Sequence, residues 1–116
     1  MKYVLAVSKN LIVSDKIGSI ARSYGFDVIA RTGDDAISKA SVSRPVLIVV
    51  DLEENPQFIH ELKKAGISSA VIAFYPHTKD DLRKSAALSG YNGLRIVPNS
   101  MLEATLKDFL GRLTAL

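Results

Sequence analysis

The chain has no cysteine, which removes disulfides, thiolate zinc centres and cysteine nucleophiles together. Its only histidines, His60 and His77, are far apart in the sequence, so an imidazole metal centre is not expected. The apolar runs are strand-sized, well short of the roughly 20 residues that span a bilayer. Met1-Lys2-Tyr3-Val4-Leu5-Ala6-Val7 has the basic start and apolar stretch of a secretion leader, but the run is short and Lys9 interrupts it before any cleavage-like site. A cytoplasmic protein without membrane contact is therefore expected. With 116 residues the chain is long enough for one domain and too short for two. Folding at this size buries roughly two-thirds of the unfolded surface, so the core needs no staples.

Charge is mildly basic, with net +3 and a pI near 9.3. Residues 1–58 carry seven basic and seven acidic side chains, and residues 59–116 carry eight and five. The excess is spread over Lys63, Lys64, Lys79, Arg83, Lys84 and Arg95, with Asp80 and Asp81 interleaved. This pattern reads as a solvated surface more than a nucleic-acid face.

Hydrophobic periodicity alternates strands with helices and shows no repeat, linker or low-complexity stretch. Tyr3–Val7 is nearly all apolar, as a strand covered on both faces should be. Ser14 or a nearby polar residue can cap a helix that buries Ile17, Ile20 and Ala21 and stops near Tyr24-Gly25. Phe26–Ala30 reads as strand two, Asp34–Ala40 as a helix burying Ala36, Ile37 and Ala40, and Pro45 opens strand three. Pro56 suits the first turn of a helix with Phe58, Ile59, Leu62 and Ala65 inward and Gly66 past its end. Strand four is Ala70–Phe74. The next helix is Lys79–Ser89, with Leu82, Ala86 and Ser85 or Ser89 facing in, and strand five is Gly93–Val97, stopped by Pro98. Ser100 and Glu103 stand at capping-box spacing ahead of the Leu102, Leu106, Phe109, Leu110 and Leu113 stripe.

Five βα units with short connections imply a parallel sheet with helices on both faces. The flavodoxin-like order 2-1-3-4-5 is expected, a three-layer (βα)5 fold whose switch point lies between strands one and three. Val46-Leu47-Ile48-Val49-Val50 runs straight into Asp51, which puts a carboxylate in that crevice. Ser8 and Lys9, at the end of strand one, and Tyr75-Pro76, at the end of strand four, should lie nearby.

These residues resemble the receiver domain of two-component response regulators. Gly33-Asp34-Asp35-Ala36-Ile37 is similar to the family's opening of helix two, Arg44-Pro45-Val46-Leu47-Ile48-Val49-Val50-Asp51-Leu52 to its phosphoacceptor strand, and Ser89-Gly90-Tyr91-Asn92-Gly93-Leu94-Arg95-Ile96-Val97-Pro98 to its stretch through strand five. The spacing matches from Val4 to Leu113. The resemblance implies a single receiver-like domain over residues 1–116 with no output domain, and Asp51 at the phosphoacceptor position.

It also exposes departures. Where receivers hold magnesium with an acidic pair after strand one, this chain has Ser8 and Lys9. Tyr75 stands for the Thr or Ser after strand four, Val97 for the lysine after strand five, and Leu94 for the switch aromatic. Asp51, the Glu53 carbonyl and Ser8 could still face an ion. An inward Lys9 ammonium about 4 Å from a divalent cation would repel it by about 8 kcal/mol at an effective dielectric of 20. Magnesium binding is therefore expected to be weak or lost, with no cofactor and no metal ligands. Lys9 is expected either to pair with Asp51 and lock the pocket or to point to solvent.

No nucleophile, base and oxyanion set is visible, so no catalytic residue and no enzymatic activity are expected. Glu53 and Glu54 read as solvated loop residues, Tyr75 as filling space, His77 as solvent-facing and His60 as a boundary residue. The expected function is an atypical, pseudo-receiver form of signalling through protein contacts, with an unidentified protein or a second copy as partner. From the resemblance, the contact face would include Arg83, Lys84, Tyr91, Leu94 and Arg95, since exposed aromatic and arginine residues are favoured anchors. The alternatives are a regulator still phosphorylated on Asp51 by an unusual route, or a module binding an anion near Lys9 or, weakly, nucleic acid. No glycine-rich phosphate loop supports a nucleotide site.

Overall fold

The computed structural model describes residues 2–115; Met1 and Leu116, the outermost residues of the expected 1–116 domain, lie outside them. Parallel strands β1 (Tyr3–Val7), β2 (Asp27–Arg31), β3 (Leu47–Asp51), β4 (Ala70–Tyr75) and β5 (Leu94–Pro98) form a single sheet in the order β2-β1-β3-β4-β5. Helices α1 (Leu11–Ser23), α2 (Gly33–Ser43), α3 (Phe58–Lys64), α4 (Asp80–Ala87) and α5 (Leu102–Thr114) connect or follow them. This is the expected flavodoxin-like (βα)5 arrangement. No helix among the described residues is long and apolar enough to cross a membrane.

The alternation of side chains along each strand sorts the apolar residues into two cores. Val4 and Ala6 of β1, Leu47 and Val49 of β3, and Ile72 and Phe74 of β4 meet Ile17, Ala21, Leu106 and Leu110 from α1 and α5. Their neighbours Leu5, Val7, Ile48, Val50, Val71 and Ala73 turn the other way, onto Ala36, Ala40, Phe58, Ile59, Leu62 and Ala86 of α2, α3 and α4. Each fully buried aliphatic side chain contributes about 1.5–3 kcal/mol. The all-apolar strands are thus explained by helices on both faces.

Several element ends differ from the sequence expectation. Helix α1 starts one turn before Ser14 and is capped by Asn10, whose Oδ1 accepts from the Ile12 and Val13 N–H groups at 3.0 and 3.3 Å. β2 begins at Asp27, because Phe26 leaves the ladder to sit in the α1/α5 core. Helix α2 runs three residues past Ala40 to Ser43, and β3 begins at Leu47, with Pro45 ahead of it. Pro56 lies in a turn ahead of α3 rather than in its first helical turn, and Ala65 is exposed at the helix end. Helix α4 is shorter than Lys79–Ser89 at both ends. Ser100 belongs to a 3₁₀ turn (Asn99–Met101), so no capping box forms; Glu103 pairs instead with Lys16 at 3.0 Å and Lys107 at 3.1 Å.

Candidate functional site

The carboxyl ends of β1 and β3 lie side by side, with Val7 opposite Val50 and Asp51 opposite Phe74 of β4. Asp51 closes β3 because the chain turns sharply after it. Its carbonyl accepts from the Asn55 N–H at 3.0 Å and from the Asn55 side-chain amide at 3.3 Å, while its Oδ1 accepts from the Glu53 N–H at 3.0 Å. These bonds satisfy a loop that would otherwise leave backbone polar groups unpaired at the sheet end. They also hold the Asp51 carboxyl, which is half-buried, beside the β1–α1 loop.

Glu54 bridges that loop. Its carboxylate accepts from the Ser8 hydroxyl at 2.8 Å and from the Lys9 N–H at 2.6 Å. Ser8 is itself fixed: its Oγ accepts from the Asn10 N–H at 3.1 Å, and its carbonyl accepts from the Ser14 hydroxyl at 3.2 Å. The residues that cap α1 therefore also present a hydroxyl and an N–H to Glu54, and one acidic side chain ties the two loops together.

Glu54 lies within hydrogen-bonding reach of Asp51, and the two carboxyls divide their protons unequally. Burial, joined by the contact with Glu54, pushes Asp51 up to about 6 from its ordinary 3.8. Burial also acts upward on Glu54, but the Lys9 N–H and Ser8 hydroxyl donate to it and bring its carboxyl below the ordinary range. The donors favour the charged form of Glu54, so Asp51 is the first of the two to take up a proton as pH falls.

The remaining sequence candidates lie as follows. Of the two expectations for Lys9, the solvent-facing one is what the structure shows: no ion pair joins it to Asp51, its side chain is exposed, and its backbone N–H donates to Glu54. Glu53 turns away to pair with Lys79. Tyr75 is buried in the α2/α3/α4 core, and Val97 packs against the α1/α5 core. His77 is exposed, and His60 reaches the Ser85 carbonyl at 3.2 Å through Nε2.

A magnesium ion needs near-octahedral oxygen ligation. Of the two carboxyls here, Asp51 is raised by burial and Glu54 is engaged by two donors, and no third His, Cys, Asp or Glu joins them among the described residues. This donor set does not fit the ion as it stands.

On the opposite flank, Arg83 makes a bidentate pair with Asp80 at 2.6 and 3.0 Å, and Arg95 bonds Asp108 of α5 at 3.2 Å. Lys84 is exposed and Leu94 half-buried. Tyr91 departs from its expected place on an exposed face. Its ring is buried and its hydroxyl donates to the Ser69 carbonyl at 2.6 Å, so it anchors the β5 approach instead. Leu88, 85% exposed beside Lys84, is the apolar residue that face presents. The sequence reading put Leu88 inside a Lys79–Ser89 helix and named only that helix's inward residues, so it missed an apolar side chain left exposed where α4 ends at Ala87.

No protein-family model and no curated protein matches the chain. Solved structures do. A response regulator from Thermotoga maritima is 16% identical with a TM-score of 0.76, covering 100% of this chain and 99% of its own. The receiver domain of a sensor histidine kinase from Pseudomonas aeruginosa, solved with a magnesium ion coordinated in its active site cleft, is 20% identical with a TM-score of 0.78, covering 99% and 98%. An orphan response regulator from H. pylori is 16% identical with a TM-score of 0.75, covering 98% and 94%. From end to end, this chain has the fold of a response-regulator receiver domain.

Proposed function

We propose that the chain is a receiver-like signalling module that passes its message through protein contacts, without regular magnesium-dependent phosphorylation and without enzymatic activity. The observation that carries this reading is Glu54 engaged by Ser8 and Lys9. The loop that would face a metal beside Asp51 offers an ammonium-bearing residue and a hydroxyl, and both its donors already serve an internal carboxylate. Val97 supports the same reading, since an isopropyl group cannot act as a charge partner for a phosphoryl group. Arg83, Lys84, Leu88 and Arg95 supply an exposed mixed surface on α4 and β5 for a protein partner or a second copy.

Incubation with magnesium and a small-molecule phosphodonor, followed by intact mass measurement, tests the chemistry. The expected result is no stoichiometric phosphate adduct. An adduct that disappears in Asp51→Asn would overturn the proposal. For the contact face, Arg95→Glu combined with Leu88→Asp should abolish partner capture or self-association while leaving the fold intact; unchanged association would remove this surface from the proposal.

A further inference from the structure

A cleft separate from the Glu54 bridge opens between α1 and the start of α5, and Asp51 stands at one end of it. Its volume is about 440 Å³, inside the roughly 300–1,000 Å³ range of small-ligand sites. Val13, Ile17, Phe74, Leu102 and Leu106 supply apolar walls, and Asp51 and Glu53 lie at the polar end. Most of the charges around it are already matched. Glu53 pairs with Lys79, and Lys16, whose ammonium would oppose a cation, is held by Glu103 at 3.0 Å. Asp51 is the exception: no Lys, Arg or His forms an ion pair with it among the described residues, although it lines the cleft. The remaining charge is one carboxyl at the end of a cleft with apolar walls and the polar side chains of Asn10, Asn99 and Ser100.

We propose that this cleft binds a small amphipathic amine, its ammonium on the Asp51 carboxylate and its apolar body along α1 and α5. An anionic ligand would meet the Asp51 carboxylate, and a wholly apolar one would leave that carboxylate desolvated without a partner. A molecule that is cationic at one end and apolar over the rest satisfies Asp51 and the apolar walls together, with Asn10, Asn99 and Ser100 in the same lining. The proposal is independent of the protein-contact reading: either can fail without the other.

The test is an NMR titration of the full chain at pH 8 with 2-phenylethylamine, using phenylacetate as the probe of same shape and opposite charge. The expected result is saturable shifts of the Val13, Ile17 and Leu102 amides with a Kd on the order of 1 mM, as suits so small a probe. Phenylacetate should bind at least tenfold more weakly. Asp51→Asn should weaken the amine about tenfold, the loss of one charge-assisted contact. Ile12→Lys, at a cleft residue 81% exposed and so harmless to folding, should weaken it by placing a like charge at the mouth. Equal binding of both probes, no saturation by about 20 mM amine, or shifts away from α1 and α5 would overturn the proposal. So would a dimer of the free chain that Ile12→Lys returns to monomer, because the cleft would then be the seat of a second copy.

Discussion

Replacing Asp51 with asparagine isolates the proton that Asp51 and Glu54 share. A carboxyl raised from 3.8 to about 6 in the folded chain carries about 3 kcal/mol of differential interaction between its two protonation states. Asp51 is only half-buried, so solvent screening brings the usable part to about 1–2 kcal/mol. The sign follows from linkage. Between about pH 4 and pH 6 the folded chain binds more protons at Asp51 than the unfolded chain does, so stability from this group falls as pH rises through that window. Its favourable contribution is complete below about pH 4 and lost above about pH 6. Asparagine keeps an oxygen for the Glu53 N–H and offers its amide toward Glu54, reproducing the protonated form at every pH.

Asp51→Asn should therefore stabilise the chain by about 1–2 kcal/mol at pH 8, an increase in Tm of about 4–8 °C. Near pH 4 the advantage should shrink to about a few tenths of a kcal/mol. Urea unfolding of both proteins at the two pH values, with m unchanged, measures the difference. Glu54, with its lowered carboxyl, contributes the opposite slope, as stability lost when pH falls; because Asp51 is one of the groups that lower it, the comparison at pH 8, where Glu54 is ionised in both proteins, isolates Asp51. An asparagine variant no more stable than the parent at pH 8, or one whose advantage persists undiminished at pH 4, would refute the shared-proton geometry.

Glu54→Gln keeps an acceptor for Ser8 and Lys9 while removing the second charge, so the Asp51 carboxyl should titrate closer to its ordinary value, read by carboxyl-carbon NMR. Tyr91→Phe should cost about 1 kcal/mol in chemical unfolding by leaving the half-buried Ser69 carbonyl without its donor; an exposed contact residue would show no such loss. Leu106→Ala, at a fully buried residue of the α1/α5 core, should cost about 2–5 kcal/mol, and a smaller loss in urea unfolding would refute close packing of α5 on the sheet.

The fold was legible because each buried strand is a run of apolar residues bounded by turn-forming chemistry. Val46 to Val50 could belong to little else once Pro45 and Asp51 stood at its ends, and the alternation of Leu47 and Val49 against Ile48 and Val50 needed only helices on both faces. Helix starts were less legible, because Asn10 and Ser14 are both good capping residues and only the path of the chain out of β1 selects between them. Tyr91 was misread for a similar reason. A tyrosine between Gly90 and Asn92 looks like an exposed loop residue, and nothing local announces the Ser69 carbonyl 22 positions away. The site followed the same division. Asp51 could be placed from its strand alone, whereas Lys9 and Glu54 could exchange roles without altering any pattern, since a loop side chain has no periodicity to fix its direction.

That exchange of roles changes what Asp51 can do. A Lys9–Asp51 pair would have neutralised the acid with a cation and kept it ionised over most of the pH range. Burial and a second carboxyl, Glu54, instead raise its affinity for a proton, because the Ser8 hydroxyl and Lys9 N–H favour the charged form of Glu54. With its carboxyl raised to about 6, Asp51 is still mainly ionised at neutral pH and becomes a neutral group, a poor nucleophile and a poor ligand for a hard cation, only in more acidic solution. Adding a lysine at Val97 alone would leave Glu54 in place between the two loops. Substitutions at Ser8 and Lys9 would instead first have to release Glu54 from its donors, which makes the bridge between the two loops, and not any single missing side chain, the feature that holds the pocket in its present state.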